Sequence, residues 1–138
     1  MKFRFFRHLY GGDDPDSERV YRWHIEERSG PRMRAGLTTD QWKHSLDDHV
    51  NSAKELFGSM KMIGFSLEDA VPVDPRGELL DGSHRVACAV ALNLKEIYVL
   101  PKPNSVWAPP WDLEWFIAHG MKSRDIERLK VDWGLMQA

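Results

Sequence analysis

Five consecutive residues, Asp81-Gly82-Ser83-His84-Arg85, place an acid, a flexible backbone unit, a hydroxyl, an imidazole and a guanidinium between the short segment ELL and the small helix formers VACAVALN. Gly82 allows a tight turn and close backbone approach. The first amides of a helix starting at Ser83 point outward without internal partners. Such a junction attracts anions, but a helix dipole alone supplies only about 0.3–2 kcal/mol, so side chains must contribute. Arg85 can make a two-pronged contact with phosphate oxygens, Ser83 offers a hydroxyl, and His84 offers a hydrogen bond or a positive charge. Asp81 has the wrong sign for phosphate. It can hold Arg85, bind a ribose hydroxyl or position a magnesium ion beside phosphates. The same five residues also suit structural work, with Asp81 and Ser83 capping a helix and His84 and Arg85 solvated on its first turn.

Arg28, Arg32 and Arg34 form a basic concentration that, with Arg85, could frame an anionic substrate; scattered surface arginines are the alternative. Trp107 and Trp111 lie on the stiff VWAPPWD segment, suited to stacking on a sugar or base, or to pinning the C-terminal helices. Trp42 and Trp115 fit helical apolar stripes. His44 and His49 are five residues apart, on different parts of a helix surface, and are not read as metal ligands. Cys88 is a single cysteine in a run of small residues, which excludes an intramolecular disulfide and a cysteine-based zinc site. No metal site is expected from protein side chains alone.

These residues need elements to position them. FRFFRHLY alternates well enough to predict a strand, followed by a turn in GGDDPDSE. RVYRWHIEER predicts a second strand, with Tyr21, Trp23 and Ile25 on one face and Val20, Arg22, His24 and Glu26 on the other. SGPRMRAG reads as a loop. A helix is expected to start near Thr39 or Asp40 and to carry the stripe Trp42, Leu46, Val50, Ala53, Phe57 and Met60, with Gly64 ending it. AVPVD predicts a buried strand, PRG a turn, ELL a short strand, and SHRVACAVALN a helix closing at Asn93. KEIYVLPK predicts another strand, PNSVWAPPW a loop, and DLEWFIAHG and SRDIERLKVDWGLM two helices parted near Gly120. The expectation is a mixed α/β domain over residues 1–138, with its core in 20–100 and a loop and helical extension in 101–138.

The balance of 19 basic and 21 acidic side chains in 138 residues gives a formal net charge of -2. No global positive field draws the protein toward nucleic acid or an anionic membrane. No apolar stretch approaches a membrane span, and arginines interrupt the N-terminal segment where a signal peptide is continuously apolar. A cytoplasmic protein is the expectation.

ELLDGSHRVACAVALNLKEIYVL resembles the phosphate-binding segment of the ParB and sulfiredoxin superfamily, in which a strand enters a Gly-x-x-Arg turn, an alanine-rich helix and another strand. LFGSMKMIGFSLEDAVPVDPRGELLDG resembles the upstream part, and the likeness spans roughly residues 20–100. It implies a ParB/sulfiredoxin-like fold with a small mixed sheet and a nucleotide on Gly82, Ser83, His84 and Arg85. Ser83 stands where sulfiredoxins carry a reactive cysteine, which removes sulfinic acid repair. ParB partitioning proteins have a Gly-Glu-Arg-Arg turn and a helix-turn-helix reader; here the acid precedes the glycine and only two helices follow residue 100. The Asp-Gly-x-His-Arg form resembles the free serine kinases of the superfamily and short proteins of polysaccharide gene clusters. The kinases imply ATP or ADP with magnesium, possible use of Asp81 and His84, and a glutamate base after the first core strand, here Glu26 or Glu27. Their dull reading is a solvated acidic pair beside Arg28. Arg28, Arg32, Arg34 and Trp107 would then meet the substrate. The implied function is a phosphotransferase acting on a small hydroxylated metabolite, with a sugar as one candidate. The alternatives are a noncatalytic nucleotide-binding or interaction module of a polysaccharide pathway and, less favoured by the charge, a ParB-like nucleic-acid binder or nuclease.

Overall fold

The N-terminal segment is helical, not extended. The computed structural model describes residues 1–37, 43–105 and 112–137, the side chains of 133 and 135–137 excepted. Helix α1 spans Lys2–Leu9 and buries Phe5 and Phe6 completely. Phe3, Phe5, Phe6, Leu9 and Tyr10 fit helical steps of three and four as well as they fit alternation, and burial of one helical face against the core decides between them.

Helix α2, Asp16–Arg34, replaces both the expected second strand and the loop after it. Its buried residues, Ser17, Val20, Tyr21, His24, Ile25, Ser29 and Gly30, recur at helical spacing. Charge spacing reinforces the helix: Arg19 contacts Asp16 at 2.6 Å three residues back, and Arg22 contacts Glu18 at 2.9 Å four residues back. Pro31 lies in the last turn, where its missing amide costs a single helical bond.

Helix α3, Leu46–Ile63, starts at a capping box: the Asp48 amide donates to Ser45 Oγ at 3.1 Å and the Ser45 amide to Asp48 Oδ2 at 3.1 Å. It therefore begins after His44. Thr39, Asp40 and Trp42 lie outside the described residues, as do Trp107 and Trp111. The stripe Val50, Ala53, Phe57 and Met60 is buried, and Gly64, at φ 74°, ends the helix with its amide bonded to the Met60 carbonyl at 2.8 Å.

A short 3-10 turn at Leu67–Asp69 leads into strand β1, Val71–Val73. Buried Asp74 then organises the tight reversal, accepting from the amides of Arg76 at 2.8 Å and Glu78 at 3.0 Å and from the Arg76 guanidinium. The ELL segment contributes a single antiparallel bridge, Val73 to Leu79, in place of a strand. Helix α4, Ser83–Ala91, follows Gly82. Asn93 adopts φ 58° just past the helix end, and the Leu94 amide returns to the Ala89 carbonyl at 3.0 Å, a left-handed closure. Strand β2, Val99–Pro101, lies parallel to β1 with Val71 beside Val99. The architecture of the described residues is thus mixed α/β and dominated by helices, with β1 and β2 forming a parallel pair and Val73 and Leu79 an antiparallel bridge.

The chain divides into two compact units, Met1–Trp107 and Ala108–Ala138. The core of the first joins Phe5 and Phe6 of α1, Tyr21 and Ile25 of α2, Val50 to Met60 of α3, and Cys88, Ala89 and Ala91 of α4. The second holds α5, Leu113–Ala118, and α6, Ser123–Gln137. Asp112 caps α5 through the Trp115 amide at 2.8 Å. Trp115 is half-buried, its ring stacked on His119 at 3.9 Å. No helix among the described residues is long and apolar enough to cross a membrane.

Gly82 is the tightest backbone position next to the site. It is buried at φ 84°, and a Cβ there would lie 2.5 Å from Val71 Cγ1 and 2.9 Å from Arg85 Nη2. Left-handed backbone costs a side-chain-bearing residue about 1–2 kcal/mol before any clash. Gly82→Ala should therefore lower stability in urea unfolding by at least about 2 kcal/mol; a loss under about 0.5 kcal/mol would contradict this packing.

Candidate functional site

The turn and the first residues of α4 lie where α1 and α2 converge. Gly82 is the N-cap, no side chain caps the helix, and its first turn holds no acidic residue. The amides of Ser83, His84 and Arg85 are thus left facing outward, as the sequence implies.

The side chains are arranged differently from the simple reading of the motif. Arg85 Nη1 donates to the carbonyl of Asp69 at 2.7 Å and to that of Ala70 at 3.2 Å, while Nη2 lies 3.7 Å from Asp81 Oδ2. The guanidinium fastens the approach to β1 onto α4, so its fork is not an open phosphate clamp. Asp81 is otherwise turned to solvent, its side chain 81% exposed. Ser83 Oγ accepts from Lys2 Nζ at 2.6 Å, which places a cation of α1 across the start of α4.

His84 is not a solvated first-turn residue. Its Nε2 lies 2.9 Å from the Tyr21 hydroxyl, and the two rings meet edge to face at 5.8 Å. Tyr21 is itself fully buried, stacked on Phe5 at 4.8 Å, with its hydroxyl 3.4 Å from the His49 carbonyl. Burial, then the positive charges of Lys2, Arg28 and Lys43, hold His84 well below the ordinary histidine range, with His24 adding to the effect. His24, one turn beyond Tyr21 on α2 and 3% exposed, is pushed down to about 2 by burial first, and then by Lys2 and Arg28. Both imidazoles are neutral at pH 7. The positive charge that His84 was expected to offer is supplied instead by Lys2, Arg28 and Lys43.

Tyr21, His24 and Arg28 share one stripe of α2, at steps of three and four. Arg28, which also contacts Ser29 Oγ at 3.1 Å, is thus the one arginine of the expected trio brought toward His84. Arg34 pairs with Glu26, and Arg32 is exposed. Glu26 and Glu27 stand in mid-helix and not at a strand end. At about 100° per residue Glu26 is about 140° round the axis from Tyr21, whereas Glu27 is about 60° from His24. Trp107 lies outside the described residues. Cys88 is fully buried, and burial pushes its thiol up to about 11, which leaves it unreactive at pH 7.

The arrangement has the charge and donors for an anion: three cations, a serine hydroxyl, an uncapped helix start and two neutral imidazoles. A phosphate fits that donor set. A magnesium ion would find Asp81 as a protein ligand only beside Arg85, and among the described residues no group of three or more acidic, histidine or cysteine side chains could hold a metal. Sequence reasoning missed Lys2, Lys43, Tyr21 and His24. For the last two, the helical spacing Tyr21–His24–Arg28 was the available signal.

Two outcomes follow from these contacts. Arg85→Ala leaves two carbonyls without their donor and should destabilise the protein by about 1.5–3 kcal/mol in urea, with Arg85→Lys restoring only part of it. His24 binds a proton in the unfolded chain below about pH 6.5 but not in the folded one, so stability is full above that pH and falls as pH drops toward the folded value near 2. His24 alone should give a slope of about 1.4 kcal/mol per pH unit between pH 6 and 4 in unfolding titrations, and His24→Gln should flatten the curve by that amount. No family model matches the chain, and no curated protein or solved structure matches it either.

Proposed function

We propose that the turn from Gly82 to Arg85 binds the phosphate groups of a nucleotide, in a domain of the ParB/sulfiredoxin type that acts as an ATP- or ADP-dependent phosphotransferase on a small hydroxylated metabolite. The observation that carries this reading is the gathering of Lys2, Arg28 and Lys43 around His84 at the uncapped start of α4. The cations Lys2, Arg28 and Lys43 favour a polyanion over a neutral ligand. The order of strand, glycine turn, helix and parallel strand supports the fold assignment. Phosphoryl transfer asks chiefly for positioning and charge neutralisation. Lys2, Ser83 and the α4 amides are suited to hold phosphate oxygens, and magnesium bound with the nucleotide would neutralise further charge. Asp81 is its candidate protein ligand. Glu27, on the side of α2 nearer His24, is the better placed of the two candidate bases, because Glu26 is engaged by Arg34.

The same pairing of Glu26 favours a second reading, a noncatalytic nucleotide-binding module. Calorimetry with ATP and ADP plus magnesium separates these possibilities from failure of both. Binding is expected, and Lys2→Ala should weaken it by about 1 kcal/mol, roughly fivefold, with the deficit shrinking at high salt. Absence of binding would overturn the nucleotide site. Phosphate transfer to sugars or amino acids that Glu27→Gln abolishes supports the enzyme; binding without any turnover supports the module.

A further inference from the structure

We propose that β2 is a self-association edge, and that two copies of the chain pair their β2 strands antiparallel about a two-fold axis at Val99. The pairing uses none of the residues of the phosphate-binding reading and stands apart from it. On one side β2 is taken up by β1: the Val71 amide donates to the Tyr98 carbonyl at 3.0 Å, and the Lys102 amide to the Val73 carbonyl at 2.8 Å. In a parallel ladder that pattern turns the main-chain groups of Val99 and Pro101 away from β1. Among the described residues no further strand takes up this outer side. Tyr98, Val99 and Leu100 are 50%, 51% and 47% exposed, which leaves an apolar strand half uncovered. An open edge of this kind is a template for another strand.

The residues around Val99 point to a second copy as that strand. Antiparallel pairing centred on Val99 gives two reciprocal bonds between the two Val99 residues, because each offers an outward amide and an outward carbonyl. The same register sets Tyr98 opposite Leu100 of the second copy, and Glu96 opposite Lys102 of the second copy. Each pair occurs twice by symmetry, so the edge is complementary to itself in apolar contact and in charge. Glu96 and Lys102 are exposed, and among the described residues neither side chain has an ion pair. Neighbouring registers that keep the same side-chain alternation lose these pairings. A shift one way sets Glu96 opposite Leu100. A shift the other way sets Lys102 opposite Tyr98 and brings Pro101, which has no amide, opposite Val99. The two-fold contact closes on itself, so a dimer results and not a filament.

Sedimentation equilibrium with charge-swapped variants tests the pairing. An edge this short belongs to the weak class of interfaces, so wild-type dimers are expected at roughly 0.1–1 mM protein. Lys102→Glu sets two acids against each other in both halves of the dimer, and Glu96→Lys sets two amines. Each substitution alone should weaken self-association at least about tenfold. An equal mixture of the two variants restores both opposite-charge pairs in a heterodimer, which should regain the wild-type affinity to within about threefold. Wild-type protein that stays monomeric at about 1 mM overturns the proposal and leaves the edge to a strand from another protein. Dimerisation that both substitutions leave unchanged, or weakened variants that do not recover in the mixture, overturns the pairing centred on Val99.

Discussion

The arrangement of the first unit hinges on the close approach of Gly82 to Val71. With φ at 84° and no side chain, Gly82 lets the chain turn directly against the first residue of β1, where any Cβ would collide. That contact decides where α4 begins and in which direction its first amides face. Arg85 then reaches back over the same glycine to the carbonyls of Asp69 and Ala70, so one arginine closes the loop that the glycine makes possible. The parallel pairing of Val71 with Val99 fixes the far end of the crossover. A helix start held this firmly can present its amides with little reorganisation, which is what a preformed anion site requires.

Around that fixed turn the protein places polar groups that would be costly elsewhere. His24 and His84 give up their charge to burial and to the cations beside them. The edge-to-face contact of His84 with Tyr21, and the stack of Tyr21 on Phe5, pass the position of the turn into the aromatic core shared by α1, α2 and α3. The site and the core are therefore mechanically continuous: Lys2 meets Ser83 because Phe5 and Phe6 of the same helix are buried beneath it.

Residues with one dominant local signal were legible in the sequence. The stripe from Val50 to Met60, the glycine stop at Gly64, the closure near Asn93 and the turn at Gly82 each express steric or periodic rules that tertiary packing did not override. Residues 3–10 and 19–28 were misread because aromatic and β-branched residues there satisfy both periods, and burial by partners unseen in the sequence made the choice. Asp16 with Arg19 and Glu18 with Arg22 did carry the helical answer in their charge spacing. At the site, the motif located the turn but not the division of labour. Arg85 has the chemistry of a phosphate ligand, yet two backbone carbonyls within reach claim it, and the cations that surround His84 come from segments 40 or more residues away in the chain.

The account stands or falls on where a nucleotide's phosphates rest. Backbone amide NMR of the wild-type protein titrated with ATP and magnesium reads that location residue by residue. The largest shifts are expected at the amides of Ser83, His84 and Arg85, with smaller ones at Lys2 and Arg28. Saturable shifts confined to residues away from α4, or none at millimolar ATP, would contradict it.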